Sequence, residues 1–179
     1  MTGRTIIGWR EWLALPSLGI PAIKAKVDTG ARTSALHTFD LSTYEGDGHE
    51  QVKFRIHPLQ KRTDVELECT APIIDRRVIR DSGGHAEERI VIKTDISLGT
   101  GEPWPIEVTL TNRDDMLFRM LLGREGVRNS GLLIDPAVSY MNGKALARSY
   151  GGRGKQAASP SEAVDDDTNA ELNEDLNSD

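Results

Sequence analysis

The strongest constraint on this chain is a succession of short β-favouring runs, broken by turn residues, with almost nothing of helical period between them. Residues 20–27, 51–56, 65–69, 89–96, 105–110, 120–122 and 132–134 each carry such a run. Runs of this size and number predict an all-β fold, a small closed or folded-over barrel. The single predicted helix is a turn or two over 124–129, ended by Gly131. Residues 76–93, RRVIRDSGGHAEERIVIK, have β-like ends around a polar middle. That is the pattern of a hairpin with a loose tip at Ser82, Gly83 and Gly84.

Charge divides the chain more sharply than hydropathy does. Of the 179 residues, the first 150 hold 20 Lys+Arg and 20 Asp+Glu, whereas 151–179 hold 2 basic and 8 acidic residues. The formal net charge of −6 therefore belongs entirely to the last stretch. That stretch has no aromatic residue and few apolar ones beyond alanine, so it cannot bury enough surface to offset the entropy of ordering. The expected organisation is one domain over 1–150 and a disordered acidic tail over 151–179. Neither part has the basic excess of a nucleic-acid binder, and no apolar run approaches the roughly 18 residues of a membrane helix. The opening MTGRTIIGWREW lacks an apolar core followed by a small-residue cleavage site. The one cysteine, Cys69, cannot form an internal disulfide. A cytoplasmic protein is expected.

The most specific local feature is Lys26-Val27-Asp28-Thr29-Gly30-Ala31, at the end of the run IPAIKAKV. A strand feeding directly into Asp-Thr-Gly puts a carboxylate at the first position of a tight turn. Gly30 lets the backbone approach closely there, and the Thr29 hydroxyl can hold the turn. Alone, Asp-Thr-Gly is a common surface turn. A second feature, Met120-Leu121-Leu122-Gly123-Arg124, is an apolar run reaching its glycine 93 residues after Gly30.

Together these segments resemble the retroviral-type aspartic proteases. More closely, the chain is similar to a bacterial retropepsin-like family often named "ATP-dependent zinc protease" or associated with the RimK glutamate ligase. The matching residues are Gly8-Trp9-Arg10-Glu11, Leu15-Pro16, AKVDTGARTSALH at 25–37, TLTNR at 109–113, Met120-Leu121-Leu122-Gly123-Arg124 and Asp135-Pro136. They span roughly residues 4–142 and leave the acidic stretch outside.

The resemblance implies that Asp28, Thr29 and Gly30 are catalytic and that a two-fold homodimer supplies Asp28 twice to one site. Two facing carboxylates share one proton, because both cannot ionise cheaply. The ionised member activates water, and the protonated member donates to the peptide carbonyl. Leu122, Gly123 and Arg124 are expected to support the site, and Ser82, Gly83 and Gly84 to form the tip of a flap. Asp81-Ser82-Gly83 spells a second motif, but only 53 residues separate Asp81 from Asp28, too few for two similar lobes. A hairpin turn is the favoured reading there.

Ala31, Arg32, His37, Arg80, Arg89 and Arg113 are the expected substrate-binding residues, from the turn, the hairpin and the strand beside it. Guanidinium groups suit bidentate recognition of carboxylates. The expected substrate is thus an acidic peptide or a glutamate-modified protein, with a RimK-like ATP-grasp ligase as partner. A structural clamp is the favoured role of Arg124, while Arg32 is open between clamp and substrate contact. His37 is open between a structural hydrogen bond and substrate contact. No metal or cofactor is expected: His37, His49, His57 and His85 are irregularly spaced, and no Cys-x-x-Cys or Gly-Lys-Ser/Thr loop is present. Trp9 and Trp12 fit either the core or a dimer interface. The competing reading is a non-catalytic, protease-like module that binds peptides or a ligase.

Overall fold

The computed structural model describes residues 4–80, 83–99, 101–112, 117–128 and 130–151. In chain order they form β1 (Ile6–Gly8), β2 (Arg10–Leu15), β3 (Ile20–Asp28), β4 (Ser34–His37), β5 (Phe39–Gly46), β6 (His49–Ile56), β7 (Leu67–Arg80), β8 (Ala86–Ile96), β9 (Trp104–Thr111), β10 (Met120–Gly123), α1 (Arg124–Arg128) and β11 (Leu133–Asp135). The fold is all-β with one short helix, which directly follows Gly123 as expected. The acidic stretch beyond Gly151 lies outside the described residues.

Each of the seven predicted runs overlaps a strand. The strands without a sequence signal have physical reasons for silence. β2 reads Arg-Glu-Trp-Leu-Ala-Leu, suits a helix as well as a strand, and is buried on both faces, so it shows no alternation. β4 has only 4 residues. β5 is exposed almost throughout and so has no apolar face to read. β7 runs on past Pro72 because its two halves use opposite edges. Residues 67–72 pair with β6, and from Ile73 the strand pairs with β8 instead. The proline thus stands at the changeover, where its missing N–H costs least.

The main sheet has the order β2-β3-β10-β4-β9-β8-β7-β6-β5, and β1 and β11 form a separate parallel pair. The closed barrel among the expected forms is not made. The sheet ends at two edges, β2 and β5, and folds over so that a single bridge, Ala14 to Ser97, joins β2 to β8. β5 stays an edge because polar, charged residues such as Asp40 and Glu45 occupy it and both its faces are wet. Inside the fold, Leu13, Leu15, Ile23, Phe54, Ile92, Val108, Met120 and Leu122 belong to one buried cluster. Each contributes on the order of 1.5–3 kcal/mol by leaving water.

One buried carboxylate ties two distant segments, at Gly8 and at Met141-Asn142, to this core. Glu11 is 1% exposed. Its Oε1 accepts the N–H of Gly8 and of Met141, both at 2.8 Å, and its Oε2 accepts that of Asn142 at 3.4 Å. Glu11→Ala leaves these donors without their acceptor and is expected to cost about 1–3 kcal/mol. The urea midpoint would show the loss, with Glu11→Gln losing less. Trp12 is buried beside this anchor, and Trp9 meets Phe118 edge-on at 6.0 Å with the Arg10 guanidinium 4.4 Å from its ring. Both tryptophans therefore pack within the chain. No helix among the described residues is long and apolar enough to cross a membrane.

Candidate functional site

β3 delivers Asp28 as its last residue, and the chain turns through 29–33 before β4 begins at Ser34. The Asp28 Oδ1 accepts the N–H of Gly30 and of Ala31, each at 3.1 Å. The carboxylate thus closes its own turn, as a short polar side chain does at this position. A Cβ on Gly30 would stand 3.2 Å from that oxygen, so a side chain there would press on the carboxylate. Thr29 and Gly30 are exposed, and Asp28 is half-buried.

A second segment crosses behind the turn. β10 lies between β3 and β4, parallel to the first with Gly123 beside Asp28 and antiparallel to the second with Leu121 beside Ala35. The Gly123 N–H donates to Ser34 Oγ at 3.0 Å, Arg124 N–H to the Ala31 carbonyl at 3.0 Å, and Glu125 N–H to the Arg32 carbonyl at 3.1 Å. The Arg124 guanidinium donates at 3.3 Å to the carbonyls of Thr29 and Gly30. Arg124 therefore grips the backbone of the Asp28 turn. Leu122 is buried beneath it, 1% exposed.

Beside the turn lies a groove of about 1150 Å³, bounded on one side by Gly30, Ala31, Arg32 and Thr33 and on the other by Arg77, Val78, Ile79, Arg80 and Arg89. The hairpin predicted over 76–93 supplies the second wall: β7 pairs with β8 from Ile73 to Arg80, with Arg80 beside Ala86. Gly83 and Gly84 are exposed at its tip, and Gly84 takes φ +83°, a conformation that favours glycine. Ser82 and Asp81 lie outside the described residues, as does Arg113.

The groove is a field of arginines partly answered by carboxylates. Arg77 donates to Glu107 at 2.7 Å and to Asp75 at 2.6 Å. The bond to Glu107, then that to Asp75, pushes the Arg77 guanidinium above its ordinary range, and Arg77 in turn helps hold the Asp75 carboxyl below its own. Arg89, which also lines the groove, has a side chain only 10% exposed and donates from Nε to Glu87 at 2.8 Å. Arg32 is 78% exposed and only 4.0 Å from Glu125. His37 is buried in β4 beside Thr111, donates its backbone N–H to the Arg119 carbonyl at 2.9 Å and does not line the groove.

Sequence reasoning missed Arg77, Glu107 and Glu125. Arg77 had a usable signal, because the hairpin register sets it directly opposite Arg89. Glu107 had none, since only the β8–β9 pairing brings it to Arg77. Among the described residues no group of three or more His, Cys, Asp or Glu side chains is placed to hold a metal ion. Cys69 is buried, and burial, followed by the nearby Glu68 charge, pushes its thiol up to about 11. It is therefore protonated near neutral pH and a poor nucleophile or ligand.

The RimB-like family model, "Retropepsin-like aspartic endopeptidase RimB", matches residues 6–145. A protein of Desulfotalea psychrophila named "Probable alpha-L-glutamate ligase" is 47% identical over 148 residues, which cover 83% of this chain and 32% of that protein. A Shewanella pealeana protein of the same name is 48% identical over 139 residues, covering 78% of this chain and 30% of that one. The chain thus spans about a third of the length of the curated relatives it matches. Among solved structures, a protein of unknown function from Legionella pneumophila superposes with a TM-score of 0.66 at 25% identity, over 78% of this chain and 99% of that one. With the family match running from β1 through the Asp28 turn to the β10 strand behind it and beyond, the chain belongs to the RimB-like family of retropepsin-like aspartic endopeptidases.

Proposed function

We propose that the chain is an aspartic peptidase that hydrolyses acidic peptides, in particular α-linked glutamate chains added to proteins by an ATP-grasp ligase. The observation that carries the substrate class is the groove beside Asp28, lined by Arg32, Arg77, Arg80 and Arg89. Val78, Ile79, Ile106 and Leu121 also line the groove, so it is the four arginines that set it apart from a wholly apolar peptide site. The relatives named as glutamate ligases contain a segment like this chain within a longer protein. That association supports a hydrolase acting on what such a ligase makes.

The reaction needs two carboxylates, and each chain brings one Asp-Thr-Gly. Two copies meeting about a two-fold axis would set Asp28 against its counterpart. The exposed Thr29 and Gly30 suit such a meeting, as do the half-exposed Ile6 and Leu133 side chains paired between β1 and β11. The pair holds one proton between them. The ionised carboxylate takes a proton from a water bound between them, the resulting hydroxide attacks the peptide carbonyl carbon, and the other carboxyl protonates its oxygen. Collapse of the tetrahedral intermediate then expels the amine, which leaves with a proton returned by the pair. In this reading the β7–β8 hairpin, whose residues wall the groove, closes over substrate as a flap.

The names of the relatives favour one competing reading, a non-catalytic module that holds acidic peptides for a ligase. Oligo-α-glutamate and an apolar peptide of equal length, incubated separately with the protein and followed by mass spectrometry, separate the two. Preferential cutting of oligoglutamate is the expected result, with Arg80→Ala and Arg32→Ala raising KM more than they lower kcat. Equal cutting of both peptides would remove the carboxylate-recognition argument. Binding of oligoglutamate without any cutting would establish the module.

A further inference from the structure

Carboxylates among the described residues do not answer all the arginines of the groove. Among the described residues, Arg80 has no carboxylate within ion-pair distance, and it is exposed at the end of β7. Among the described residues Arg32 has only Glu125, at 4.0 Å, and Glu125 is shared with Arg128 at 3.4 Å. Glu107 is already bound to Arg77. At Arg80 and Arg32 an anionic chain entering the groove meets a cation without displacing a close ion pair, whereas Arg77 and Arg89 are already paired.

The chain carries such an anion itself. Residues 1–150 are balanced at 20 basic and 20 acidic, while 151–179 hold 2 basic and 8 acidic residues. The acids gather beyond a spacer: Glu162 and Asp165-Asp166-Asp167 come first, then Glu171, Glu174 and Asp175. The origin of this stretch is tied down. The Tyr150 hydroxyl donates to the Ala22 carbonyl at 2.6 Å, so the chain leaves the domain from the side of β3. β3 is also the strand that ends at Asp28.

That shared strand sets the distance. Ala22 and Asp28 are six residues apart in extended chain, about 20 Å at ~3.3 Å per residue. The ten residues 152–161 can span at most about 35 Å. The span lies within that limit, and tethering a ligand within reach of its site gives it a high effective concentration, in the millimolar range for short linkers.

We propose that the acidic segment 162–175 occupies the arginine-lined groove beside Asp28 and competes there with acidic substrate. The proposal rests on the reading of that groove as a carboxylate-binding site. The segment acts as a tethered competitor that substrate must displace, so it raises the KM for acidic peptides and leaves kcat unchanged. It also sharpens selectivity, because a peptide with few carboxylates cannot displace it. Screening weakens the contact, so the effect fades as salt rises.

The test uses the full chain in two forms, wild type and a variant with Glu162→Gln, Asp165→Asn, Asp166→Asn, Asp167→Asn, Glu171→Gln, Glu174→Gln and Asp175→Asn. With oligo-α-glutamate at low salt, the variant is expected to show a KM lower by about two- to tenfold at unchanged kcat, as a millimolar tethered competitor predicts. A parallel measurement needs no catalysis. A fluorescent synthetic peptide of residues 160–176 is titrated into the variant that also carries Asp28→Asn, and anisotropy is read. Binding that salt weakens and that Arg32→Ala with Arg80→Ala abolishes supports the proposal, even if no form of the protein cuts any peptide; in that case only the peptidase reading fails. Unchanged KM with no peptide binding overturns it. Peptide binding that survives the arginine substitutions overturns it too, and moves the segment to the smaller basic groove of about 310 Å³ formed by Trp12, Lys24, Lys61, Arg62 and Gly151.

Discussion

Asp28→Asn is expected to abolish hydrolysis of oligo-α-glutamate, a loss of about 10²- to 10⁴-fold, while light scattering reports the same mass as for wild type. Asparagine preserves the turn, because its side-chain oxygen can accept the N–H groups of Gly30 and Ala31 as the Asp28 Oδ1 does. What it cannot do is ionise or pass a proton. The sharper test is a mixture. If one site is built from two copies of Asp28, wild type and Asp28→Asn chains reassociated in equal amounts keep about a quarter of the wild-type sites, since only one pairing in four has both carboxylates. Independent sites on each chain would keep half. A residual activity of half would therefore remove the symmetric site while leaving Asp28 catalytic, and undiminished activity in Asp28→Asn itself would remove Asp28.

Gly123→Ala is expected to be among the most damaging small substitutions in the domain, beside Gly8→Ala, whose Cβ would stand 2.3 Å from the Val138 carbonyl oxygen. A Cβ at Gly123 would lie 2.6 Å from the Thr33 carbonyl carbon and 2.8 Å from the Ser34 nitrogen. These are backbone atoms of the segment that joins the Asp28 turn to β4, so no side chain can swing aside. Forcing a methyl group into packed structure costs about 1–3 kcal/mol even where side chains can adjust, and this case belongs at or beyond the upper end. The strain falls on the Asp28 turn, because Gly123 pairs with Asp28 and its N–H donates to Ser34 Oγ. Thermal unfolding and peptide hydrolysis should both suffer. Gly126→Ala is the contrast: its nearest atom, at 2.9 Å, is the end of the Leu122 side chain, which can move. Gly101→Ala, with nothing within 4 Å, should be silent. An unchanged melting temperature in Gly123→Ala would show that β10 does not press on the turn as the packing requires.

The legibility of this protein follows from where each signal resides. The strands that bury one face or carry β-branched runs, such as residues 89–96 and 105–110, declare themselves over a few residues. The hairpin of β7 and β8 was readable because its turn residues and flanking runs are adjacent in the chain. β4 and β5 were not, since one is too short for a period and the other, wet on both faces, has no pattern to show. The Asp28 turn was legible as a motif, and the Gly123 segment as its companion, through resemblance rather than through any local rule. His37 shows the limit of that route: it belongs to the matching stretch, yet β4 carries it into the interior.

By itself the sequence determined the all-β class, the single short helix, the partition of charge between domain and acidic segment, and the identity of the aspartate that opens the Asp-Thr-Gly turn. Each of these depends on composition or on residues a few positions apart. Only the tertiary structure decided that the sheet stays open, that Arg124 grips the backbone of the turn, and that Arg32, Arg77, Arg80 and Arg89 share one groove. Those outcomes depend on registers between segments far apart in the chain, Gly123 beside Asp28 and Arg77 opposite Arg89 among them. Such registers are set by the packing of the whole core, which no short window of sequence contains.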